Sequence, residues 1–541
     1  MNKNKGKSVK PDVDAIVVGA GFAGMYMLHS LRENGFSVQV FEKESDVGGT
    51  WYSNRYPGAR CDSDSIYYNY TFSEELFKGW TWSSRYPEQK EILSYLNYVA
   101  DELDIRDGIQ FNTTVISAQY HEDTNLWNIF TDDGASLTAT YFITAVGCLA
   151  AATNVPDFKG LNSFTGEWYH TGNWPHEQVD FTGKKVGVIG TGSSGVQSIP
   201  VIAKEAEHLT VFQRTAQYSF PARNHPYDEQ YIKNTKDNYH ELKKELRESQ
   251  SGQIIKSRKA SALEDTPEDR IKAYEERWNE GGYLFIYDDL LINEQSNETA
   301  AEFIRDKIAS IVHDKETAQK LMPTYYWGTK RQILDTDYYE TFNRDNVSLI
   351  DVKKNPIEKI TPKGIKTSAE EVELDIIVFA TGFDGMTGPL FRMDIRGKNN
   401  VPLKSKWQDG AETKTYLGLS TNGFPNMFMI TGPESPSVLS NMPISIEQHV
   451  EWIADCIHYM QTHHIESMEA NSHAEEEWSE HCKELAEATL YTKTDSWYMG
   501  ANIEGKARRF PIYVGGVGNY RNKCTEVAKQ GYTGFDITYS S

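Results

Sequence analysis

Two copies of the pattern Gly-x-Gly-x-x-Gly constrain the fold of this chain more than any other feature. The first copy lies in DAIVVGAGFAG, where a short apolar run predicts a buried parallel strand and is followed by Gly19, Gly21 and Gly24. A helix predicted over MYMLHSLREN ends at Gly35, and a second strand, FSVQVFE, ends at Glu42. Strand, glycine loop, helix and strand in this order predict a βαβ dinucleotide-binding unit.

Each marked residue of this unit has a physical role. Gly19 permits the tight turn, Gly21 lets a pyrophosphate approach the backbone, and Gly24 lets the helix pack closely on the strand. The phosphates would lie at the helix N-terminus, where free N–H groups and the helix dipole favour anions. Glu42 follows Gly19 at roughly the 20-residue separation expected of an acid that binds a ribose hydroxyl. This unit is therefore predicted to bind a dinucleotide with a free ribose.

A second unit of the same kind follows in KKVGVIGTGSSG, with Gly190, Gly192 and Gly195 after an apolar strand. A helix and the strand LTVFQRT come next, but the strand is followed by Gln213 and Arg214 instead of an acid. An arginine at this position accommodates a 2′-phosphate, which an acid would repel. The second unit is therefore predicted to bind NADP.

Two dinucleotides in one chain indicate electron transfer, with FAD in the first unit accepting hydride from NADPH in the second. The electron acceptor then decides the function. Disulfide reductases need a cysteine pair just after the first unit, where Cys61 stands alone. The remaining acceptor is O2, alone or together with an organic substrate.

The order of the predicted elements gives the fold class. Buried strands in YFITAVGC and ELDIIVFATGFD carry the chain back toward the first unit, and residues 222–322 are polar with a helical pattern. We predict an α/β protein with two Rossmann-like dinucleotide-binding domains, in which the NADP domain is inserted in the FAD domain and carries a helical subdomain. The predicted boundaries are 1–150 and 382–541 for the two parts of the FAD domain, 151–221 and 323–381 for those of the NADP domain, and 222–322 for the helical subdomain.

Composition excludes several kinds of partner. A net charge of −22 argues against nucleic acid, whose phosphates this protein would repel. The 5 cysteines form no Cys-x-x-Cys pair, so we expect neither a disulfide framework nor a zinc site, and a reducing compartment fits. There is no apolar run of about 18 residues, and the basic start MNKNKGKSVK leads into a strand instead of the apolar region of a signal peptide. We expect a cytoplasmic monomer without a membrane segment.

One further segment carries a family resemblance. Phe164-x-Gly166-x-x-x-His170-x-x-x-Trp174-Pro175 resembles the fingerprint of type I Baeyer–Villiger monooxygenases, most closely the phenylacetone and cyclohexanone monooxygenases. The similarity continues in GGTWYSNRYPGARCD, GTGSSG, GTKRQILDTDYYETFNRDNV, ATGFD, GPESPSVLSNMP and SWYMGANIEGK, and extends from about Asp14 to the C-terminus. Flavin-containing and N-hydroxylating monooxygenases share the glycine loops, but their fingerprint lacks the tryptophan.

The resemblance implies a reaction. NADPH reduces FAD, a C4a-peroxyflavin forms with O2, and its distal oxygen attacks a ketone to give an ester or lactone, with sulfoxidation as a side activity. A fixed cation beside the flavin should stabilise the negative charge on oxygen, and an arginine keeps its proton at any working pH. By resemblance this cation is Arg331, and Asp62 pairs with it.

The resemblance also implies the remaining site residues. His170 is given a conformational or positioning role, and Trp497 belongs to a C-terminal closing loop over NADP. The substrate pocket is expected near Ser437, Leu439 and Trp497. FAD contacts are carried over to Gly19, Gly21, Gly24, Glu42, Thr50, Trp51, Asp62, Tyr68 and Met442. NADP contacts are carried over to Gly190, Thr191, Gly192, Ser193, Ser194, Gly195, Gln197, Arg214, Thr215, Lys330 and Trp497.

Two other functions remain open at the level of sequence. A flavin-containing monooxygenase could oxygenate nitrogen or sulfur instead of a ketone, because the same activated oxygen serves both reactions. A redox-sensing nucleotide-binding protein without enzymatic activity would keep both glycine loops, but it would not require the Lys330-Arg331 pair.

Overall fold

A computed structural model describes residues 10–149 and 157–540 of the 541-residue chain. The basic start of the chain and the predicted domain boundary at 150 and 151 lie largely outside these residues. The first part of the chain alternates strands and helices, namely β1 (Val13–Val18), α1 (Phe22–Glu33), β2 (Val38–Phe41), α2 (Thr50–Ser53), α3 (Glu74–Gly79), α4 (Gln89–Glu102), β3 (Ile109–Gln110), β4 (Val115–His121), β5 (Leu126–Thr131) and β6 (Ser136–Thr144).

The middle of the chain contains the second glycine loop and most of the helices. Its elements are β7 (Glu167–His170), β8 (Lys185–Ile189), α5 (Ser193–Glu205), β9 (His208–Gln213), β10 (Ser219–Pro221), α6 (Glu229–Asp237), α7 (Tyr239–Glu248), α8 (Pro267–Glu280), α9 (Glu294–Ile311), α10 (Lys315–Leu321), β11 (Ile333–Asp335), α11 (Tyr338–Thr341), β12 (Val347–Asp351), β13 (Ile357–Thr361), β14 (Gly364–Thr367), β15 (Glu371–Glu373) and β16 (Ile376–Phe379).

The last part of the chain returns to the first sheet and ends in helices. Its elements are α12 (Gly388–Phe391), β17 (Asp394–Arg396), α13 (Leu403–Lys406), β18 (Met427–Met429), α14 (Met442–Thr462), β19 (Ile465–Ala470), α15 (Ser472–Glu487), α16 (Val517–Lys529) and β20 (Phe535–Tyr539).

Two large sheets organise these elements. The first has the order β17-β4-β5-β6-β1-β2-β3, with β18 beside β6, so it draws on both ends of the chain. The second has the order β12-β9-β8-β16-β7 and is parallel throughout. Its central strands read KVGVI and IIVF, the continuous apolar runs expected of strands covered on both faces. The predicted α/β fold is confirmed by this architecture, and we propose that the domain boundaries follow the nesting of the second sheet within the first.

The predicted helical subdomain is helical, but its two halves pack on different partners. Leu246 of α7 shares a small buried cluster with Ile444 of α14 and Val517 of α16. Tyr274 and Trp278 of α8 instead belong to the core under the second sheet. This region therefore connects the two units of the molecule.

Two further properties concern the surroundings of the protein. All 5 cysteines are buried and free. No described helix combines the length and the apolar content that crossing a membrane requires.

Candidate active site

Both glycine loops open into one cavity of about 2490 Å³. Nearly all the predicted site residues line it. On the side of the first unit these are Gly19, Gly21, Glu42, Thr50, Trp51, Asp62, Tyr68 and Met442. On the other side they are Gly190, Thr191, Gly192, Ser193, Ser194, Gln197, Arg214, Thr215, Lys330, Arg331 and Trp497. Gly24, Gly195 and His170 are not among the lining residues.

Gly24 and Gly195 have the packing role that the sequence predicts. A Cβ on Gly24 would lie 1.7 Å from the Gly19 carbonyl oxygen, and one on Gly195 would lie 2.3 Å from that of Gly190. Gly19 and Gly190 adopt φ values of +105° and +108°, the region that only glycine enters without strain. The two loops thus repeat the same backbone geometry, and each helix begins where a pyrophosphate would meet free N–H groups.

The end of β2 places a buried carboxylate beside the first loop. Glu42 accepts hydrogen bonds from the backbone N–H groups of Ala20 at 2.7 Å and Glu44 at 2.9 Å. Burial raises the pKa of Glu42, while these two donors oppose the rise. Each carboxylate oxygen keeps a further lone pair, so Glu42 can accept from ribose hydroxyls in the cavity.

Aromatic residues that follow the first unit in the chain form part of the cavity wall. The indole N–H of Trp51 donates to the Tyr68 hydroxyl at 2.9 Å, and the two rings pack edge to face. Thr50 begins the short helix α2, and Met442 begins the long helix α14. The rings and the two helix starts enclose space for a flat, partly apolar ligand.

An ion pair between the two units forms part of the cavity wall. Arg331 donates from Nε and Nη2 to both oxygens of Asp62, at 2.5 and 2.8 Å, and from Nη1 to the Val438 carbonyl at 2.9 Å. Burial works against the charge, but the attraction of Asp62 raises the pKa of Arg331 well above its usual value. The bidentate geometry fixes the plane of a permanently charged guanidinium.

Three cations meet at the carboxyl edge of the second sheet. Lys330 lies over the ring of Tyr325, with Nζ 4.5 Å from its centroid. Burial, and then the charges of Arg214 and Lys353, lower the pKa of Lys330 to about 8. Because these like charges face one cavity, they form a site for a dianion such as a 2′-phosphate. The residues present therefore fit NADP.

Lys353 was not among the residues predicted to contact NADP, although the sequence contains a pattern that could have indicated it. It lies two residues after β12, next to β9, whose own end carries Arg214. The carboxyl ends of parallel strands meet at one edge of a sheet, so the basic pair that follows β12 could have been placed there.

Other predicted residues of the second unit make contacts within the protein. The Gln197 amide accepts from the Tyr56 hydroxyl at 2.8 Å and donates to the Arg60 carbonyl at 3.0 Å, which joins α5 to the first unit. The Thr191 hydroxyl donates to the Thr215 carbonyl at 2.9 Å. Gln197 therefore helps to hold the two units together, whereas the Thr191–Thr215 hydrogen bond lies within the second unit.

His170 lies at the end of β7 and is 2% exposed. Its Nδ1 accepts from the Gly172 N–H at 3.0 Å, which puts the proton on Nε2, 3.3 Å from the Thr381 hydroxyl. His170 therefore connects β7 to the segment after β16. A positioning role fits this location, and direct contact with substrate does not.

Trp497 lines the cavity, and its ring lies against Gly385, where an added Cβ would be 3.0 Å from it. Of the residues expected near the substrate, Trp497 lines the cavity, together with Val438 and Ser440, whereas Ser437 and Leu439 are not among its lining residues. The position of the substrate pocket stays a prediction. Among the described residues, no three His, Cys, Asp or Glu side chains form a group that could hold a metal.

Comparisons with known proteins agree with this geometry. Residues 13–255 match the FMO-like family, described as flavin-binding monooxygenase-like. A Baeyer-Villiger monooxygenase of Pseudooceanicola batsensis is 45% identical over 97% of this chain and 96% of its own length. Phenazine N-monooxygenase PhzNO1 of Lysobacter antibioticus is 43% identical over 97% of each chain.

A solved structure extends the similarity to three dimensions. Cyclohexanone monooxygenase from Rhodococcus sp. Phi1, bound to NADP⁺, is 44% identical, with a TM-score of 0.95 over 98% of this chain and 99% of its own. The resemblance drawn from the motifs is confirmed, and the chain belongs to the Baeyer–Villiger monooxygenases.

Proposed function

We propose that this protein is an FAD- and NADPH-dependent Baeyer–Villiger monooxygenase that inserts one oxygen atom of O2 beside a ketone carbonyl, giving an ester or lactone. The observation that carries the proposal is the Arg331–Asp62 ion pair, which lies on the wall of the cavity that both dinucleotide loops also line. No dinucleotide-binding role requires a fixed cation at that place, whereas oxygen transfer to a carbonyl does.

The first unit would hold FAD, which supplies hydride acceptance from NADPH and the activation of O2. Gly19 and Gly21 leave room for the pyrophosphate, and Gly24 packs α1 behind it. Glu42 would accept from the ribose hydroxyls. Thr50, Trp51, Tyr68 and Met442 would surround the isoalloxazine, with Asp62 at its edge.

The second unit would hold NADP. Arg214, Lys330 and Lys353 would bind the 2′-phosphate. Thr191, Ser193 and Ser194 lie beside the glycine loop at the start of α5, where they would bind the pyrophosphate. Gln197 and Thr215 would shape this wall, and Trp497 would cover the coenzyme.

Arg331 would act by holding positive charge beside the reacting oxygen atoms. Its guanidinium stays protonated, so it stabilises the negative charge that develops on the ketone oxygen without giving up a proton. Asp62 keeps the guanidinium in place through two hydrogen bonds and reduces its field. His170 would hold β7 and the segment after β16 in the arrangement that the reaction needs.

Affinity for NADP⁺ is expected to fall as the pH rises through about 8. From pH 7 upward the 2′-phosphate is largely a dianion, so Lys330, with its pKa of about 8, is the group that titrates. Only the protonated Lys330 ammonium attracts the phosphate. Above the pKa of Lys330, NADP⁺ binding therefore requires Lys330 to take up a proton, which lowers the affinity by up to about tenfold per pH unit. Calorimetric titrations with NADP⁺ and NAD⁺ from pH 7 to 9.5 test this. A parallel loss of affinity for NADP⁺ and NAD⁺ would contradict the assignment of Lys330 to the 2′-phosphate. In Lys330→Met, the affinities for the two coenzymes should depend on pH in the same way.

The reaction itself is tested by product analysis. The purified, FAD-loaded protein is incubated with NADPH, ¹⁸O2 and a panel of cyclic, linear and aryl ketones, amines and sulfides. We expect esters or lactones that carry one ¹⁸O atom, at rates at least tenfold above those for amines. If N-oxides form and no ketone is converted, the proposal is wrong.

One observation supports a second candidate function. The relative named phenazine N-monooxygenase is nearly as similar to this chain as the Baeyer-Villiger monooxygenase. An N- or S-oxygenating flavin monooxygenase would use the same two dinucleotides, and the amine and sulfide arms of the panel detect it.

We also propose that the protein acts as a monomer in the cytoplasm. Its 5 buried free thiols fit a reducing compartment. Among the described residues, the exposed large apolar side chains include Ile116 on β4, Trp168 on β7 and Tyr539 on β20, which lie on different elements.

A further inference from the structure

A second cavity, of about 430 Å³, lies outside the dinucleotide site, between α7 and the first turns of α16. Four cationic side chains line it, Lys243, Lys244, Arg247 and Arg521, and together they form what we call the basic cleft. His240 and Glu248 complete the charged and titratable groups on its wall. The chain as a whole has a net charge of −22, so a positively charged cluster stands out from the rest of the protein.

The cluster is unfavourable by itself. Lys243 and Arg247 are four residues apart on α7, a spacing at which like charges repel. Burial, and then the charge of Arg247, lower the pKa of both Lys243 and Arg521. The protein therefore holds these cations together against their mutual repulsion.

Protein carboxylates compensate only part of this charge. Glu451 accepts from Arg247 at 2.5 Å and from Arg521 at 3.3 Å, so one carboxylate serves two guanidinium groups. Glu447 lies 3.4 Å from Arg247, but its oxygens also accept hydrogen bonds from Thr71 and Phe72. Within the part of the chain that the structure describes, Nε of Arg247 and both Nε and Nη2 of Arg521 have no hydrogen-bond partner.

The donors in the basic cleft are side chains and not helix amides. The first two amides of α16, of Val517 and Gly518, donate to the carbonyls of Gln250 at 2.9 Å and Ser249 at 3.1 Å. Lysine ammonium groups together with guanidinium groups suit phosphate oxygens. The cavity, of about 430 Å³, offers far more room than a halide ion fills.

We propose that the basic cleft binds a small polyanion carrying phosphate groups, at a site separate from the dinucleotide cavity. Lys243 and Lys244 supply point charges at its rim, and the guanidinium groups of Arg247 and Arg521, whose unpaired nitrogens are themselves buried, add positive charge to its wall. Both arginines are held by Glu451 on α14, whose first residue, Met442, lines the main cavity. An occupant of the cleft therefore contacts groups that are tied to the helix bordering the flavin site.

Calorimetry with sodium pyrophosphate tests this site. The titration uses FAD-loaded protein saturated with NADP⁺, which occupies the 2′-phosphate site, at an ionic strength fixed with NaCl. We expect saturable binding at one site, with inorganic phosphate binding at least about fivefold more weakly. Lys243→Gln combined with Lys244→Gln should weaken binding by roughly ten- to a hundredfold, since each removes a charge-assisted contact.

Matched variants keep the result interpretable. Lys272→Gln, on an exposed position of α8, should leave pyrophosphate binding unchanged. Unaltered NADPH oxidation by the double variant shows that it is folded. Lys244→Gln alone changes only one exposed side chain and should weaken pyrophosphate binding less than the double variant does. The proposal is overturned if the wild-type protein shows no saturable binding, if pyrophosphate displaces NADP⁺, or if the double variant and Lys272→Gln bind alike.

Discussion

Arg331→Ala is expected to abolish ester formation while NADPH still reduces the flavin at nearly the normal rate. The guanidinium lies on the cavity wall, fixed by two hydrogen bonds to Asp62 and one to Val438, where it would face the oxygen that becomes negative. Removing one preorganised donor of this kind costs about 10²–10³ in rate, or about 2.7–4 kcal/mol of transition-state stabilisation. Hydride transfer places no comparable charge on oxygen, so flavin reduction should be spared.

Two measurements separate these steps. Stopped-flow absorbance follows flavin reduction, and chromatography follows the ester, with hydrogen peroxide measured as the product of unproductive turnover. Arg392 lines the same cavity and is the control, because Arg392→Ala removes a charge without touching Asp62. Asp62→Ala should slow ester formation less than Arg331→Ala, since the cation remains but loses its anchor. Should Arg331→Ala form ester at the wild-type rate, the proposed role of this residue is excluded.

The parts of the site that the sequence predicted are those encoded locally. Gly19, Gly24 and Glu42 lie within one βαβ unit, so their relative positions follow from helix and strand geometry, and the structure places them as the spacing requires. The Arg331–Asp62 pair joins residues far apart in the chain, and only the resemblance to a family brought them together. Fold class and cofactors could be predicted because each glycine loop needs only its own neighbours.

The parts that could not be predicted depend on contacts between distant segments. Lys353 would join the proposed 2′-phosphate site because β12 pairs with β9, and the pattern of a single strand does not reveal its partner. Val438 and Ser440 line the cavity and Ser437 and Leu439 do not, and a sequence pattern does not give the local fold around the 3₁₀ turn Ser437–Leu439 that determines this. The polar helices of residues 222–322 looked like one subdomain, yet α7 packs on α14 and α16 while α8 packs under the second sheet.

Combining Arg214→Ala with Lys330→Ala should remove the preference for NADPH over NADH. Each residue is expected to contribute a charge-assisted contact to the 2′-phosphate, worth roughly 1.5–3 kcal/mol, or about ten- to a hundredfold in kcat/KM. The loss for Arg214→Ala should be at the lower end of this range because Arg214 is exposed. The loss for Lys330→Ala should be at the upper end because Lys330 is partly buried over Tyr325. The double variant should therefore lose up to about a thousandfold with NADPH, the limit if the two contacts were independent, and little with NADH, which has no group at this position.

The two single variants decide whether the contacts are made to one phosphate. If both residues bind the same group, their effects are coupled, and the double variant should lose less than the product of the two single losses. Removing Arg214 also relieves the repulsion that lowers the pKa of Lys330, so the NADPH activity of Arg214→Ala should persist to higher pH than that of the wild type. Lys354 is next to Lys353 but absent from the cavity wall. Lys354→Ala is therefore the matched control and should change kcat/KM with neither coenzyme. Equal losses with NADPH and NADH in the double variant would show that these cations support the fold or the hydride transfer and do not read the 2′-phosphate.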